Sequence, residues 1–522
     1  MLRGSNRWLG VIAGATLAHR AVLHLEHRDR WLDQLTANPG WLTMQFMPAE
    51  SLLEHPWASL WYLQGMPPVP NGIVALALRL VPSSDLLVVP LLAFQALLTA
   101  AAACLTVVVG RRWLPAGWAW ALGILWAFSP DPVVLEATNF GQAFYENLTL
   151  VGLLVAALCV ARWTATEDQR WLLWLGLVVA LVALTRSSYA YLFVPVALTV
   201  ALAASGAVKQ RLRAVALTVC FPILLQGGWA LKNAWVYDHF TWPASTWAGA
   251  SMAGSLRAMG LGQSLENDIR LHLDRHAPWM RRYVDAHGTD PWADGWVDLS
   301  LCPEALRELD AEILQRLGRH NRHENTSCQR VVSEEFAVAS VGFLGARPDL
   351  LASKLHLGYS LYWHPMRYHH YLALAGTEWR VERPLRFWRS LGLLLRGDLP
   401  EPHYLIGNHH EERLQDVALY TLDLPVTVWW IVEVMVLHLV TPFVLLSVLV
   451  RAWRRRRIAG HDRLFVFLSV LYAYAATVHN AVEFGENMRF RWNVEPLIWL
   501  LVAASLVYSV RWLRRGRFAD TT

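Results

Sequence analysis

Five carboxylates crowd the stretch that follows the first apolar segment: Glu26, Asp29, Asp33, Glu50 and Glu54. A carboxylate works as a general base on a hydroxyl when partial desolvation brings its pKa toward neutrality and the proton it removes lies within hydrogen-bond reach. Glu26, Asp29 and Asp33 alternate with Arg28 and Arg30, which would hold their pKa values down and suits a solvated turn. Glu50 and Glu54 stand instead among Phe46, Leu52, Leu53 and Trp57, a setting better able to raise a pKa. Glu50 is therefore the first candidate base, with Glu54 and Asp33 as alternates.

Cations at the ends of apolar segments form a second group. Lys232, one of only three lysines with Lys209 and Lys354, lies near the end of an apolar helix. A cation at full membrane depth costs about 2.5–3.5 kcal/mol on insertion scales, and less near the edge. Arg186 ends another helix in Thr185-Arg186-Ser187-Ser188, while Glu486, Arg489 and Arg491 precede the last one. A phosphate or carboxylate partner would justify Lys232, and Arg489 and Arg491 could clamp an anion, since guanidinium groups match oxyanions bidentately. The plainer alternatives are an Arg186 that snorkels to the interface and a Glu486 that pairs with Arg489 or Arg491. Ser245, Thr246 and Trp247 offer hydroxyls and a ring behind the Pro243 turn, and Trp61 offers a second ring. His364, His369 and His370, and the run His409-His410-Glu411-Glu412, have metal-ligand composition without metal-ligand spacing. No metal or cofactor is expected, although metal dependence stays open.

These residues must be positioned by a membrane bundle. Of 522 residues 55% are hydrophobic and 17% charged, which suits a polytopic chain and excludes an ordinary soluble enzyme. Apolar segments fall near 8–25, 86–109, 115–130, 147–161, 171–185, 188–205, 214–236, 426–450, 464–481 and 494–510, most close to the ~20 residues a bilayer requires. Counting alternate sides, one face collects Arg3 and Arg7, Arg111 and Arg112, Arg162 and Arg170, and Lys209 with Arg211 and Arg213. It then collects Arg451, Arg454 to Arg457, and finally Arg511, Arg514, Arg515 and Arg517. The positive-inside rule makes that face cytoplasmic, with both termini on it. The polar stretches 26–85 and 237–425 then face the periplasm or cell exterior. The basic excess belongs to helix ends facing anionic headgroups, so nucleic acid is not an expected partner.

The expected fold class is an all-α polytopic membrane protein of about ten spans, with loop helices and a small domain on the outer side. Three parts are expected: a transmembrane module over 1–236 that includes the loop 26–85, an outer domain over 237–425, and C-terminal helices with a tail over 426–522. Residues 67–82 read as a helix on the outer interface, because a span there would invert the charge pattern. Amphipathic helices are expected over 303–319, 331–344 and 348–357. The first apolar segment lacks a small-residue cleavage site and reads as a retained helix. Cys302 and Cys328 can bridge in the outer region, whereas Cys104, Cys159 and Cys220 read as apolar fillers. The sequons at Asn147 and Asn325 read as chance occurrences.

Three motifs carry a resemblance. The first runs from Glu50 through Glu54 and Ser59-Leu60-Trp61-Tyr62-Leu63 to Pro67-Pro68. The second joins Leu231-Lys232-Asn233 to His239-Phe240 and Ser245-Thr246-Trp247-Ala248-Gly249. The third is Glu486-Asn487-Met488-Arg489-Phe490-Arg491 with Glu495-Pro496. Together they resemble the GT-C superfamily of polytopic glycosyltransferases, near the family 39 type. The commonest first-loop Asp motif of that family, close behind the first helix, is not clearly present.

The resemblance implies inverting transfer of a sugar from a polyprenyl-phosphate donor to a glycan, lipid or protein acceptor, on the outer face of the membrane. It implies a first-loop carboxylate as base, for which the neighbouring residues favour Glu50, with Glu54 or Asp33 as alternates. Lys232, Arg186, Arg489 and Arg491 would hold the phosphate with Glu486 nearby, and Ser245, Thr246, Trp247 and Trp61 would shape the sugar pocket. A lipid-linked glycan polymerase or ligase, and a lipid or sugar flippase, are the alternatives.

Overall fold

The computed structural model describes residues 2–26, 46–81, 84–129, 140–242, 248–258, 262–276, 278–280, 284–285, 299–317, 325–363, 423–455, 458, 460, 462–482 and 490–519. Among them, every regular element is helical. In chain order they are α1 (Leu2–Glu26), α2 (Ala49–Glu54), α3 (Pro56–Trp61), α4 (Pro68–Leu80), α5 (Ser84–Gly110), α6 (Ala116–Ala127) and α7 (Phe140–Thr166). There follow α8 (Arg170–Thr185), α9 (Phe193–Ala203), α10 (Val208–Phe221), α11 (Gly227–Tyr237), α12 (Ala248–Ala258) and α13 (Gly262–His276). The rest are α14 (Glu304–Arg316), α15 (Ser327–Ala346), α16 (Pro348–Tyr362), α17 (Asp423–Met435), α18 (Thr441–Arg455), α19 (Asp462–Val482) and α20 (Glu495–Ala519).

All ten apolar segments are helical, but they differ in reach. Six stretches are long and apolar enough to cross a membrane: Val89–Gly110, Ala143–Thr166, Val208–Tyr237, Val428–Arg454, Asp462–Val482 and Trp492–Trp512. Ala116–Ala127, Arg170–Thr185 and Ser187–Ala203 are apolar but shorter. Twelve residues in α6 rise only about 18 Å, well short of the ~30 Å hydrocarbon core. Proline explains that brevity, because Pro115 fixes the start of α6. The segment 67–82 is the helix α4, entered through Pro67 and Pro68.

Two long spans are interrupted by π turns, Pro222–Gln226 between α10 and α11 and Val436–Val440 between α17 and α18. Pro222 has no N–H to give the regular ladder, which suits it to that position. The main core lies between α5, α6, α7, α8, α19 and α20. At its centre Trp126 meets Trp492 and Trp499 edge-on, with ring centroids 5.6 and 5.9 Å away. Gly176 lets α8 reach the backbone of α10, since a Cβ there would collide with the Thr218 carbonyl.

A second core joins α2, α3 and α4 to Phe144 and Tyr145 of α7, Tyr237 of α11, and Ile313 and Leu317 at the end of α14. A third holds α12, α13 and α15 together. Cys302 and Cys328 form a disulfide with their Cα atoms 6.1 Å apart, within the usual bridging range. The bridge ties the approach to α14 to the first turn of α15. The end of the bundle that carries these segments is called the loop face below.

Candidate functional site

The first-loop carboxylates are divided by the helix period. In α2 the side chains of Ser51 and Leu52 turn inward, while Glu50 and Glu54, one turn apart, share the exposed face. Their apolar neighbours Phe46 and Leu52 are buried, so the hydrophobicity around Glu50 belongs to the opposite side of its helix. Trp61 is half-exposed and Trp57 more so. Asp33, Ser245, Thr246, Trp247, Glu486 and Arg489 lie outside the described residues, as do His364, His369, His370, His409, His410, Glu411 and Glu412.

Behind α3 the chain Tyr62–Met66 is held from two sides. From α11, the Lys232 ammonium donates to the Leu63 carbonyl and lies 3.8 Å from the Trp229 ring centroid. One turn on, the Tyr237 hydroxyl donates to the Tyr62 carbonyl at 2.5 Å. Lys232 is buried, and a carbonyl dipole and an aromatic face solvate its charge there.

From the 299–346 region, Asn325 grips the same strip. Its Oδ1 accepts from the Gln64 and Gly65 amides at 2.9 and 3.3 Å, and its Nδ2 donates to the Tyr62 carbonyl at 2.9 Å. Gln64 answers with Nε2, which donates to the Asn325 carbonyl at 2.9 Å and the Ser327 hydroxyl at 3.2 Å. Arg330 donates to Gln64 Oε1 at 3.1 Å. Asn325 is buried by these contacts, so its sequon serves packing.

The first turn of α15 is capped twice. Thr326 accepts from the Gln329 amide, and Asp310 of α14 accepts from the Ser327 and Cys328 amides at 2.7 and 3.3 Å. Burial pushes the Asp310 carboxyl above its usual range, against the two amide bonds that favour its ionised form. Burial likewise lowers the Arg330 guanidinium and raises Glu334, which meets His239 at 2.8 Å.

A second polar cluster forms where α7, α8, α19 and α20 meet. Arg186 pairs with Glu146 in the first turns of α7, and both are buried. The guanidinium carbon lies 4.6 Å from the Phe490 centroid and 5.3 Å from that of Tyr145. His479 also stacks on Phe490, at 4.7 Å with an interplanar angle of 21°. His479 Nε2 meets the Ser188 hydroxyl at 3.0 Å, and Tyr474 donates to the Ser188 carbonyl at 2.8 Å.

Arg491, next in sequence to Phe490, donates to Glu495 at 2.5 Å and to the Tyr362 carbonyl at 3.2 Å, with its guanidinium 5.2 Å from the Trp363 ring centroid. Trp492 donates to Asn147 at 2.8 Å, so the second sequon asparagine is also a packing residue.

Of the three cations Arg186 contacts the start of α7, through Glu146 and Tyr145, while Lys232 holds the Leu63 carbonyl and Arg491 holds Glu495 and the end of α16. Tyr145 touches Arg186 and shares an apolar cluster with Leu63 and Tyr237. Glu146 is the residue that sequence reasoning missed. The signal was available, since a carboxylate one turn inside a long apolar helix is costly unless it has a partner. Three cations, two of them paired with the buried carboxylates of Glu146 and Glu495, and several rings toward one end of a bundle can bind an oxyanion and orient a planar or ring-shaped group beside it.

No family model matches the chain, and no curated protein matches it. Among solved structures it is similar to the archaeal oligosaccharyltransferase AglB from Archaeoglobus fulgidus, solved in complex with an inhibitory peptide and a dolichol-phosphate. The identity is 12% and the TM-score 0.42. The match covers 99% of this chain and 52% of that one, so the chain spans about half the length of the structure it matches.

This is an all-α, polytopic membrane protein. A likeness that weak leaves its chemistry to be argued from the site itself.

Proposed function

We propose that the chain is an inverting glycosyltransferase of GT-C type, which moves a sugar from a polyprenyl-phosphate donor to a glycan, lipid or protein acceptor at the loop face. The loop face is taken as periplasmic or extracellular, because the Arg-rich helix ends lie on the opposite side. The observation that carries this reading is the presence of three buried cations toward the loop face: Lys232 beneath Leu63, Arg186 against Phe490, and Arg491 at the end of α16. A lipid phosphate needs cations toward the end of a membrane bundle, and these three sit in the last part of the span Val208–Tyr237, at the end of α8 and just before the last span.

In this account Arg186, Arg491 and Lys232 hold the donor phosphate, together with Arg489 and with Glu486 nearby. Glu50 on the exposed face of α2 remains the first candidate base, ahead of Glu54 and Asp33. The sugar pocket falls to Trp61, Ser245, Thr246 and Trp247. An exposed base must lose water when the acceptor arrives, so acceptor binding itself supplies the desolvation that general-base chemistry needs. The acceptor could be a glycan, a lipid or a protein.

The test is donor dependence. Lys232→Met and Arg186→Lys, which keeps a cation for Glu146, should weaken use of a labelled polyprenyl-phosphate sugar chiefly through KM, while a surface change such as Arg347→Ala leaves it unchanged. Equal kinetics in both site variants would remove the phosphate role. One observation favours a second reading, a lipid or sugar flippase: Glu146 and Glu433 are carboxylates buried within apolar spans.

A further inference from the structure

Glu433 lies in α17 within the span Val428–Arg454, and it is fully buried. Its Oε2 accepts from Trp499 Nε1 at 3.0 Å. The same N–H reaches Glu495 Oε1 at 3.2 Å. Glu495 Oε2 in turn accepts from Arg491 Nε at 2.5 Å. Glu433 Oε1 is buried and has no hydrogen-bond partner among the described residues. Two carboxyl groups therefore converge on one indole N–H, and the guanidinium bonds Glu495.

Among the described residues, the titratable groups that act on the pair are mostly neutral. Glu495 and Arg491 act on Glu433 from the start of the last span, Tyr472 stands on α19, and Tyr359 and Tyr362 on α16. His438 lies in the π turn that follows Glu433. Its Nδ1 faces the Val434 carbonyl at 2.7 Å and so donates, and its Nε2 meets the Tyr359 hydroxyl at 2.7 Å. A neutral imidazole satisfies both contacts, with Tyr359 donating to Nε2 and accepting from Tyr472 at 2.6 Å. Among these groups Arg491 is the one fixed positive charge. Two ionised carboxylates beside it would leave a net negative charge in a medium of low dielectric, and like charges at such range resist joint ionisation.

We propose that the Glu433–Glu495 pair is a proton-binding site that carries one proton at neutral pH, resident on Glu433 as a neutral carboxylic acid. One proton from solvent adds to one Glu433 oxygen, and no other bond changes. The site is linked to the loop face, because Arg491 also donates to the Tyr362 carbonyl and lies over Trp363. Loss of the proton would give the guanidinium two carboxylates to serve and weaken its hold on the end of α16. This inference stands apart from glycosyl transfer and is tested without it.

The experiment is infrared spectroscopy of the full-length protein in lipid nanodiscs, in H2O and D2O, from about pH 5 to about pH 9. The wild type should show the C=O stretch of a protonated carboxyl at neutral pH, shifted by deuteration. Glu433→Gln should remove it. Glu495→Gln should remove it too, because Glu433 would then ionise against Arg491. Trp499→Phe takes away the shared N–H but no carboxyl, so it should shift the band without abolishing it. Absence of the band from the wild type at neutral pH overturns the proposal whatever the variants do. A band that survives Glu433→Gln, or that ignores Trp499→Phe, overturns it as well.

Discussion

Arg186 and Glu146 form a buried ion pair in which the guanidinium also lies over the ring of Phe490, the residue that precedes Arg491. The pair links the end of one apolar helix to the start of another and fixes a cation at the loop face. Removing one partner strands the other charge in the core, which typically costs 3–5 kcal/mol, on the order of a domain's whole stability margin. Arg186→Met and Glu146→Gln should each lower the thermal unfolding midpoint in detergent, and the double variant Arg186→Met/Glu146→Gln should lose less than the sum of the two. Additive losses would mean that the two residues do not act as a pair.

Asn325 replaces backbone pairing for the strip Tyr62–Gly65. Asn325→Ala removes three hydrogen bonds worth about 1 kcal/mol each and leaves the Gln64 amide buried without its acceptor. Hydrogen exchange at the Gln64 and Gly65 amides should accelerate by at least about tenfold, which corresponds to 1.4 kcal/mol. Unchanged exchange there would show that Arg330 and Ser327 hold the strip without it.

Asp310 makes the junction of α14 and α15 sensitive to pH. Burial raises its folded-state pKa above the unfolded value, so its contribution is fully present below the unfolded pKa and is lost as pH rises through the folded one. Relative to Asp310→Asn, the wild type should therefore gain stability as pH falls from about 7 toward about 4. The difference in unfolding midpoints between the two proteins across that range is the measurement. A difference that is flat, or that shrinks on acidification, would mean that the amide bonds outweigh desolvation.

The Cys302–Cys328 bridge closes a sequence separation of 26 residues. Its loss through Cys302→Ser should cost roughly 2–4 kcal/mol on the chain-entropy account. Limited proteolysis should then cut first within 299–346 while the spans stay intact. Cleavage that begins elsewhere would place the stabilising effect outside that region.

The helices were legible because apolar runs of bilayer length have few other readings, and all ten runs are helical. The brevity of α6 and α8 was not, since hydropathy counts apolar residues and ignores where a proline or an arginine ends the turn. The disulfide partners stood out as the two cysteines of the polar region. Lys232, Arg186 and Arg491 were singled out as candidates because charge beside an apolar run is costly, and the structure places all three in buried positions. The apolar setting of Glu50 misled, because neighbours in sequence fall on opposite faces of α2, and burial follows the face. Glu433 was passed over as part of the segment 426–450 and Glu146 because it stands just before the segment 147–161, although each is a carboxylate inside a span. The Asn325 grip on Tyr62–Gly65 joins residues about 260 positions apart, a pairing that no local pattern encodes.

The most direct test of the account is sugar transfer in membranes that contain the wild type or Glu50→Gln, given a panel of labelled polyprenyl-phosphate sugars and an acceptor-bearing envelope extract. The account predicts that the wild type consumes at least one donor and that Glu50→Gln reduces transfer by about 10²-fold or more. Transfer that survives the change would move the base to Glu54 or Asp33. Well-folded wild-type protein that consumes no donor with acceptor present would contradict the account.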